Sequence, residues 1–96
     1  MQVSRTSEFE SWLSDEFQKI QALVESRIFR IENHDHFGDA KNLGEGLAKL
    51  RWKNGLRIYF TRVGQRVFLL LHGGGKSDQK NDIKKARVLI ERYTRA

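Results

Sequence analysis

Residues 67–77 read VFLLLHGGGKS, a run of hydrocarbon followed at once by three glycines, a lysine and a serine. The run is apolar on both faces of an extended chain, which predicts an interior strand over residues 66–72. The glycines predict a sharp turn or a close approach to the backbone. Lys76 and the start of the basic helix that follows would both attract phosphate. The junction therefore predicts a strand, a phosphate-attracting turn and a helix.

Spacing excludes two well-known sites that contain similar glycines. A P-loop requires a glycine five residues before Gly75, and that position is Leu70, inside the apolar run. The oxyanion loop of lipase-type hydrolases accompanies a G-x-S-x-G elbow. The chain lacks this elbow, because Gln79 stands two residues after Ser77 and no other serine lies between glycines. The turn is therefore not predicted to hold a nucleotide.

Two strands with alternating polarity are predicted upstream of the junction. Residues 47–52 and 56–61 alternate apolar and polar side chains, and Asn54-Gly55 between them is typical of a hairpin turn. One face comprises Ala48, Leu50, Trp52, Leu56, Ile58 and Phe60, and the other comprises Lys49, Arg51, Arg57, Tyr59 and Thr61. With the strand over residues 66–72, these segments predict a three-stranded meander.

Residues 2–5 predict a short opening strand, and two helices follow it. Ser7 and Glu10 have the spacing of a capping box for a helix with the apolar residues Phe9, Trp12 and Leu13. A second helix, predicted to be capped at Ser14-Asp15, has a core-facing stripe of Phe17, Ile20, Val24, Ile28 and Ile31. Helices joined so closely predict a helical hairpin.

The order of these elements predicts the fold class. Residues 33–46 lose the periodicity and predict a loop, and Ser77 or Asp78 would cap a last helix with Ile83, Ala86, Ile90 and Tyr93 inward. We expect one α+β domain over residues 1–96. Its N-terminal helical hairpin and C-terminal helix would pack on one face of a small, mainly antiparallel four-stranded sheet.

Composition restricts the environment and the partners. The chain has 96 residues, no cysteine and a net charge of +6, with no apolar run near the ~20 residues of a membrane span. We therefore expect a cytoplasmic protein with no membrane partner and no thiolate metal site. The positive charge indicates a polyanionic or acidic partner, although charge can also serve solubility alone.

Three cations are predicted to cluster on the polar face of the hairpin. Lys49 and Arg51 lie two residues apart, and Arg57 comes from the strand paired with theirs, so the three should lie within about 5–8 Å of one another. Phosphate suits such a cluster, and Lys76 should reach the same edge. The alternative is a solvated strand face whose cations prevent edge pairing.

Other polar residues have two interpretations each. His72 at the strand end could act as an acid or a base, or could satisfy a local hydrogen bond. Tyr59 could stack on a base, or could reflect strand propensity alone. His34-Asp35-His36 looks like a metal site, but its spacing and the absence of thiols favour a loop, so we predict no metal and no cofactor.

In these segments the chain resembles the RelE/ParE superfamily of bacterial toxins. The nearest subgroup is the addiction-module killer proteins, related to phage Gp49-like and HigB-like toxins. Residues 70–86 match the subgroup pattern L-L-x-G-G-x-K-x-x-Q-x-x-D-I-x-x-A. Further matches are Leu50-Arg51, GLRIYF at residues 55–60, FGDAK at residues 37–41, and Arg27-Ile28 with Arg30-Ile31.

The resemblance implies a toxin of a type II toxin–antitoxin system that cleaves messenger RNA on the ribosome without metal. It implies that Lys49 or His72 is the base, that Arg51 and Arg57 bind the phosphate, and that Lys76 lies at the catalytic edge. Ribosome-dependent members have a tyrosine early in the last helix, where this chain has Ile83. The general acid therefore stays unassigned. Tyr59, Lys41, Lys53, Lys80 and Lys84 are the predicted RNA-binding residues.

Two other functions stay open at this stage. One is non-enzymatic inhibition of DNA gyrase, as in the ParE branch, and the other is plain RNA binding. The partners implied by the resemblance are messenger RNA, the ribosome and a cognate antitoxin, in this subgroup usually a helix-turn-helix protein encoded beside the toxin.

Overall fold

The computed structural model describes residues 1–65 and 67–95. The elements run in the order β1 (Gln2–Arg5), α1 (Ser7–Ser14), α2 (Gln18–His34), β2 (Ala40–Gly44), β3 (Leu47–Arg51), β4 (Arg57–Val63), β5 (Val67–Gly74) and α3 (Gln79–Thr94), with a 3₁₀ turn at Lys76–Asp78. The α+β class, the opening strand, the meander and the last helix are confirmed. Arg66, which the prediction placed first in the last strand, lies outside the described residues.

The sheet has five strands, not the predicted four, in the order β1-β5-β4-β3-β2. β1 runs parallel to β5, and the other neighbours are antiparallel. The additional strand, β2, lies within the predicted loop. It is an exposed edge strand without an apolar alternation, so backbone pairing with β3 and not side-chain burial defines it.

Helices cover both faces of the sheet, which corrects the prediction of a single helical face. Neighbouring residues of β5 show the division: Leu70 packs with α1 and α2, and Leu71 packs with α3. We call these the α1/α2 face and the α3 face. The α1/α2 face buries Phe9, Leu13, Val24, Ile28, Ile31, Leu50, Leu56, Ile58, Phe60, Phe68 and Leu70. A strand that is apolar on both faces requires cover on both.

The first two helices do not form a clear hairpin. With eight residues, α1 is only about 12 Å long, and it contacts β5, whereas α2 contacts β1. Phe17, predicted to face the core, is 83% exposed because it precedes α2 as its N-cap residue. Each helix therefore packs on the sheet more than on the other.

Thr6, and not the predicted Ser7, caps α1. Its Oγ1 accepts a hydrogen bond from the Phe9 N–H at 2.9 Å and donates to the Leu71 carbonyl at 2.7 Å. One buried hydroxyl therefore satisfies a free donor of the helix end and fixes that end to β5. A Thr-to-Ala change here would lose both bonds.

A bulge in β5 sets the orientation of the candidate site. Tyr59 pairs with His72 and Phe60 pairs with Leu70, so Leu71 is an extra residue in β5. Leu71 and His72 consequently both lie on the α3 face, Gly73 returns to the α1/α2 face and Gly74 to the α3 face. The bulge thereby places the imidazole of His72 beneath α3.

Candidate phosphate-binding site

Lys49, Arg51 and Arg57 lie together on the α3 face of β3 and β4, and we call them the cationic cluster. Arg51 pairs directly with Arg57 across the two strands, and Lys49 is the next residue on the same face of β3. Cross-strand partners of this kind have Cβ atoms roughly 5 Å apart. Three positive charges are therefore concentrated beside the start of α3.

A single oxygen of Gln79 joins two members of the cluster. Lys49 Nζ donates to Gln79 Oε1, and Arg57 Nε donates to the same oxygen at 3.3 Å. Lys49 is only 5% exposed. Its burial, followed by the charges of Arg57, Lys41 and Arg51, lowers the pKa of Lys49 below its usual value. The shift favours loss of a proton from this amine, which is what a base requires.

Arg51, in contrast, has a carboxylate partner. Its Nη2 lies 2.8 Å from Asp39 Oδ1, and its Nε donates to the same oxygen at 3.2 Å. The hydrogen bond from Arg51, with the charges of Arg51, Arg27 and Arg57, lowers the pKa of Asp39. Both partners are partly exposed, so this ion pair can exchange with an incoming anion at small cost.

Arg27 supports this arrangement, a role that the residue pattern alone did not indicate. Its guanidinium donates to the carbonyl oxygens of Phe37 at 2.9 Å and Asp39 at 2.7 Å, and also to that of Arg51. It also lies over the Trp52 ring, 4.3 Å from the centroid. Arg27 therefore fixes the segment before β2 against the end of β3. The signal in the sequence was an arginine within the apolar stripe of α2.

The other predicted lysines are all exposed at the surface. Lys41 in β2 pairs with Lys49, and Lys53 lies in the turn between β3 and β4. Lys76 is also exposed. It lies beside the same turn, because a Cβ added to Gly55 would lie 3.4 Å from Lys76 Cβ. Lys80 and Lys84 are exposed on α3. These five exposed lysines come from β2, the β3–β4 turn, the 3₁₀ turn and α3, and we call them the basic rim.

Tyr59 and His72 are buried beneath α3, which corrects two of the roles considered for them. Tyr59 is 0% exposed and stacks on His72, with ring centroids 5.3 Å apart, so it cannot stack on a base here. Burial, assisted by the charge of Asp82, raises the pKa of Tyr59 to about 12. His72 is 2% exposed, and its Nε2 lies 2.8 Å from the Asp82 carbonyl oxygen. The structure therefore favours the local hydrogen bond for His72.

Two of the three glycines are explained by packing. A Cβ on Gly73 would lie 2.5 Å from Cη2 of Trp12, and a Cβ on Gly74 would overlap the Asp82 carboxylate. Gly75 is extended, with φ −96°, and has open space where a Cβ would be. Close approach of a side chain, and not of a phosphate, therefore accounts for Gly73 and Gly74.

Other candidate features lie away from the cluster. A groove of about 480 Å³ lies on the α1/α2 face, where Phe37, Ala48, Phe60 and Phe68 are among the lining residues. Within residues 1–65 and 67–95, no group of three or more His, Asp or Glu side chains could hold a metal ion. In the same ranges, no helix has the length and apolar character needed to cross a membrane.

Solved structures define the class of fold. The chain superposes on a double arginine-to-alanine variant of the Escherichia coli toxin RelE with a TM-score of 0.73, at 11% identity over 93% of this chain and 96% of that one. The isolated RelE toxin gives 0.65, at 9% identity over 88% and 96%. The conserved hypothetical protein HP0894 of Helicobacter pylori gives 0.51, at 15% identity over 80% and 96%. The chain therefore has the RelE fold.

Sequence comparison identifies a relative. No protein-family model matches the chain. An uncharacterized protein of Haemophilus influenzae is 35% identical over 94 residues, which are 95% of this chain and 94% of that protein. The chain belongs to the same protein family as this Haemophilus protein.

Proposed function

We propose that the chain is the toxin of a toxin–antitoxin pair and that the cationic cluster binds and cleaves RNA. The observation that carries the proposal is the convergence of Lys49 Nζ and Arg57 Nε on one oxygen. Two charged donors directed at one point suit a phosphate oxygen. The RelE fold and the resemblance in residues 70–86 supply the biological context.

The proposed reaction is attack of a ribose 2′-hydroxyl on the adjacent phosphate. Lys49, in the uncharged form that its lowered pKa favours, takes the hydroxyl proton as the O2′–P bond forms. Arg57, with Arg51 once it leaves Asp39, stabilises the charge that develops on the phosphorane. The P–O5′ bond then breaks, and the leaving oxygen takes a proton from water, because Tyr59 and His72 are buried. We therefore expect slow cleavage.

Translation in a cell extract tests this proposal. The wild-type chain should cut messages and stop protein synthesis, while Arg57→Ala and Lys49→Met should each lower the cleavage rate about 10²–10³-fold. Lys19→Met, which removes a charge from an exposed position of α2, should leave the rate unchanged. Thermal unfolding of each variant checks that the fold is retained. Intact messages in an extract that nevertheless stops translating would refute cleavage.

Burial of Tyr59 and His72 also favours a second candidate, a toxin that binds without cleaving, such as an inhibitor of DNA gyrase. In that case supercoiling fails and translation continues. Plain RNA binding would instead give affinity that falls steeply with salt and no growth defect on expression.

The proposed partner is a small antitoxin encoded next to the toxin, of the helix-turn-helix type. An acidic segment would suit the basic rim formed by Lys41, Lys53, Lys76, Lys80 and Lys84. Co-expression should restore growth, and binding should weaken as salt rises.

A further inference from the structure

The Gln79 amide occupies the point at which the charges of the cluster converge. Its Oε1 accepts from both Lys49 Nζ and Arg57 Nε. Gln79 is the first residue of α3, and it follows the 3₁₀ turn Lys76–Asp78. It is half-buried, and both of its hydrogen bonds to the cluster are only partly buried. The amide can therefore rotate away while the helix stays in place.

A neutral amide is an unusual partner for a buried ammonium. A lysine that is 5% exposed is normally paired with a carboxylate, because burying an uncompensated charge is costly. Asp39, the carboxylate beside the cluster, is bonded to Arg51. Among the residues that the structure describes, the acceptor for Lys49 Nζ is the Gln79 amide oxygen. The charge of Lys49 is thus hydrogen-bonded but not neutralised.

We propose that the Gln79 amide oxygen stands in for a phosphate oxygen in the free protein and is displaced when an RNA phosphate binds. The inference rests on the proposed function for the identity of the ligand. The amide holds Lys49 and Arg57 in position for one oxygen, and a charged phosphate oxygen makes stronger hydrogen bonds to the same donors. Gln79 is therefore a positioning residue that also competes with the ligand.

The proposal is tested by titration with two ligands. One is inorganic phosphate, and the other is a short RNA bearing 2′-O-methyl groups, which cannot be cleaved by 2′-hydroxyl attack. Isothermal titration calorimetry at constant ionic strength gives both affinities. Gln79→Ala should bind both ligands about 3- to 10-fold more tightly, because no side chain must be displaced. Gln79→Glu should bind them more than about 10-fold more weakly and melt at a higher temperature, because its carboxylate would pair with both cations. Asn81→Ala, at an exposed position of the same helix, should match the wild type.

The opposite results would overturn the proposal. Weaker binding by Gln79→Ala would mean that the amide only shapes the site, and unchanged binding in both variants would mean that it is not at the anion position. An effect confined to inorganic phosphate would overturn RNA as the ligand. The titration requires no cleavage, so absence of RNA cleavage with the expected affinities would refute the proposed activity alone.

Discussion

The two faces of the sheet differ in how they are filled. The α1/α2 face is filled by apolar side chains from both helices and the three strands of the meander, apart from the groove lined by Phe37, Phe60 and Phe68. The α3 face is apolar only under the later turns of α3, where Ala86 and Leu89 pack on Leu71. Under the first turn of α3 lie the polar side chains of Lys49, Tyr59 and His72. The first face is therefore a hydrophobic core, and the second combines a smaller hydrophobic core with buried polar groups.

The polar part of the α3 face reduces the stability of the fold. The Tyr59 hydroxyl and Oδ2 of Asp82 are buried without a hydrogen-bond partner among the described residues. Such groups typically cost about 1–3 kcal/mol each. Lys49 adds a buried charge whose acceptor is neutral. Hydrocarbon side chains at these positions should therefore give a more stable protein.

The largest effect on the free energy of unfolding is expected for a substitution in the α1/α2 face. Leu70→Ala should lower the free energy of unfolding by about 2–5 kcal/mol, because Leu70 is fully buried and the cavity cannot collapse easily. Lys49→Met on the α3 face should leave that free energy unchanged or raise it, because it removes a buried charge. Urea denaturation measures both. If Lys49→Met lowered the free energy of unfolding as much as Leu70→Ala does, the lysine would be needed for the stability of the fold.

Substitutions in the glycines at residues 73–75 should have an intermediate effect on the free energy of unfolding. Gly73→Ala should cost about 1–3 kcal/mol, because its Cβ would lie 2.5 Å from the Trp12 ring. Gly75→Ala should stay within about 0.5 kcal/mol of the wild type, because its Cβ meets open space. Thermal unfolding gives both values. If Gly75→Ala kept its stability but lost phosphate binding, Gly75 would have a role in binding phosphate.

Local patterns were sufficient to predict β3, β4 and β5. Alternation and the Asn54-Gly55 turn set the register of β3 with β4, and this register places Arg51 opposite Arg57. β2 was not predictable in the same way, because an exposed edge strand has no apolar period to detect. The packing of α3 over Tyr59 was not predicted, because the polar residues on that face of β3 and β4 are also typical of a solvent-exposed surface.

The interior of the site was less predictable because it depends on distant contacts. Lys49 and Gln79 are 30 residues apart in sequence, so nothing local indicates that their side chains meet. The burial of His72 follows from one extra residue, Leu71, in the pairing of β5 with β4. A bulge of this kind has no distinctive residue type. Sequence therefore predicted which cations gather but not what they contact.

The smallest expected effect concerns Asp82, at the polar end of the α3 face. Burial raises the pKa of Asp82 above its ordinary value of 3.8, Asp78 adds to this, and His72 and Lys85 oppose it. A raised pKa in the folded state means that the carboxyl contributes stability at low pH and that this contribution is lost as pH rises through the folded pKa.

Asp82→Asn should remove this pH dependence. The variant should equal the wild type near pH 3 and exceed it at pH 7 by no more than ~1 kcal/mol, because Asp82 as a whole residue is only partly buried. Denaturation across that range measures the difference. If Asp82→Asn were less stable at pH 7, the ionised carboxylate would be a hydrogen-bond acceptor in the fold. The polar end of the α3 face would then be stabilising, and the contrast between the two faces would be smaller than the packing indicates.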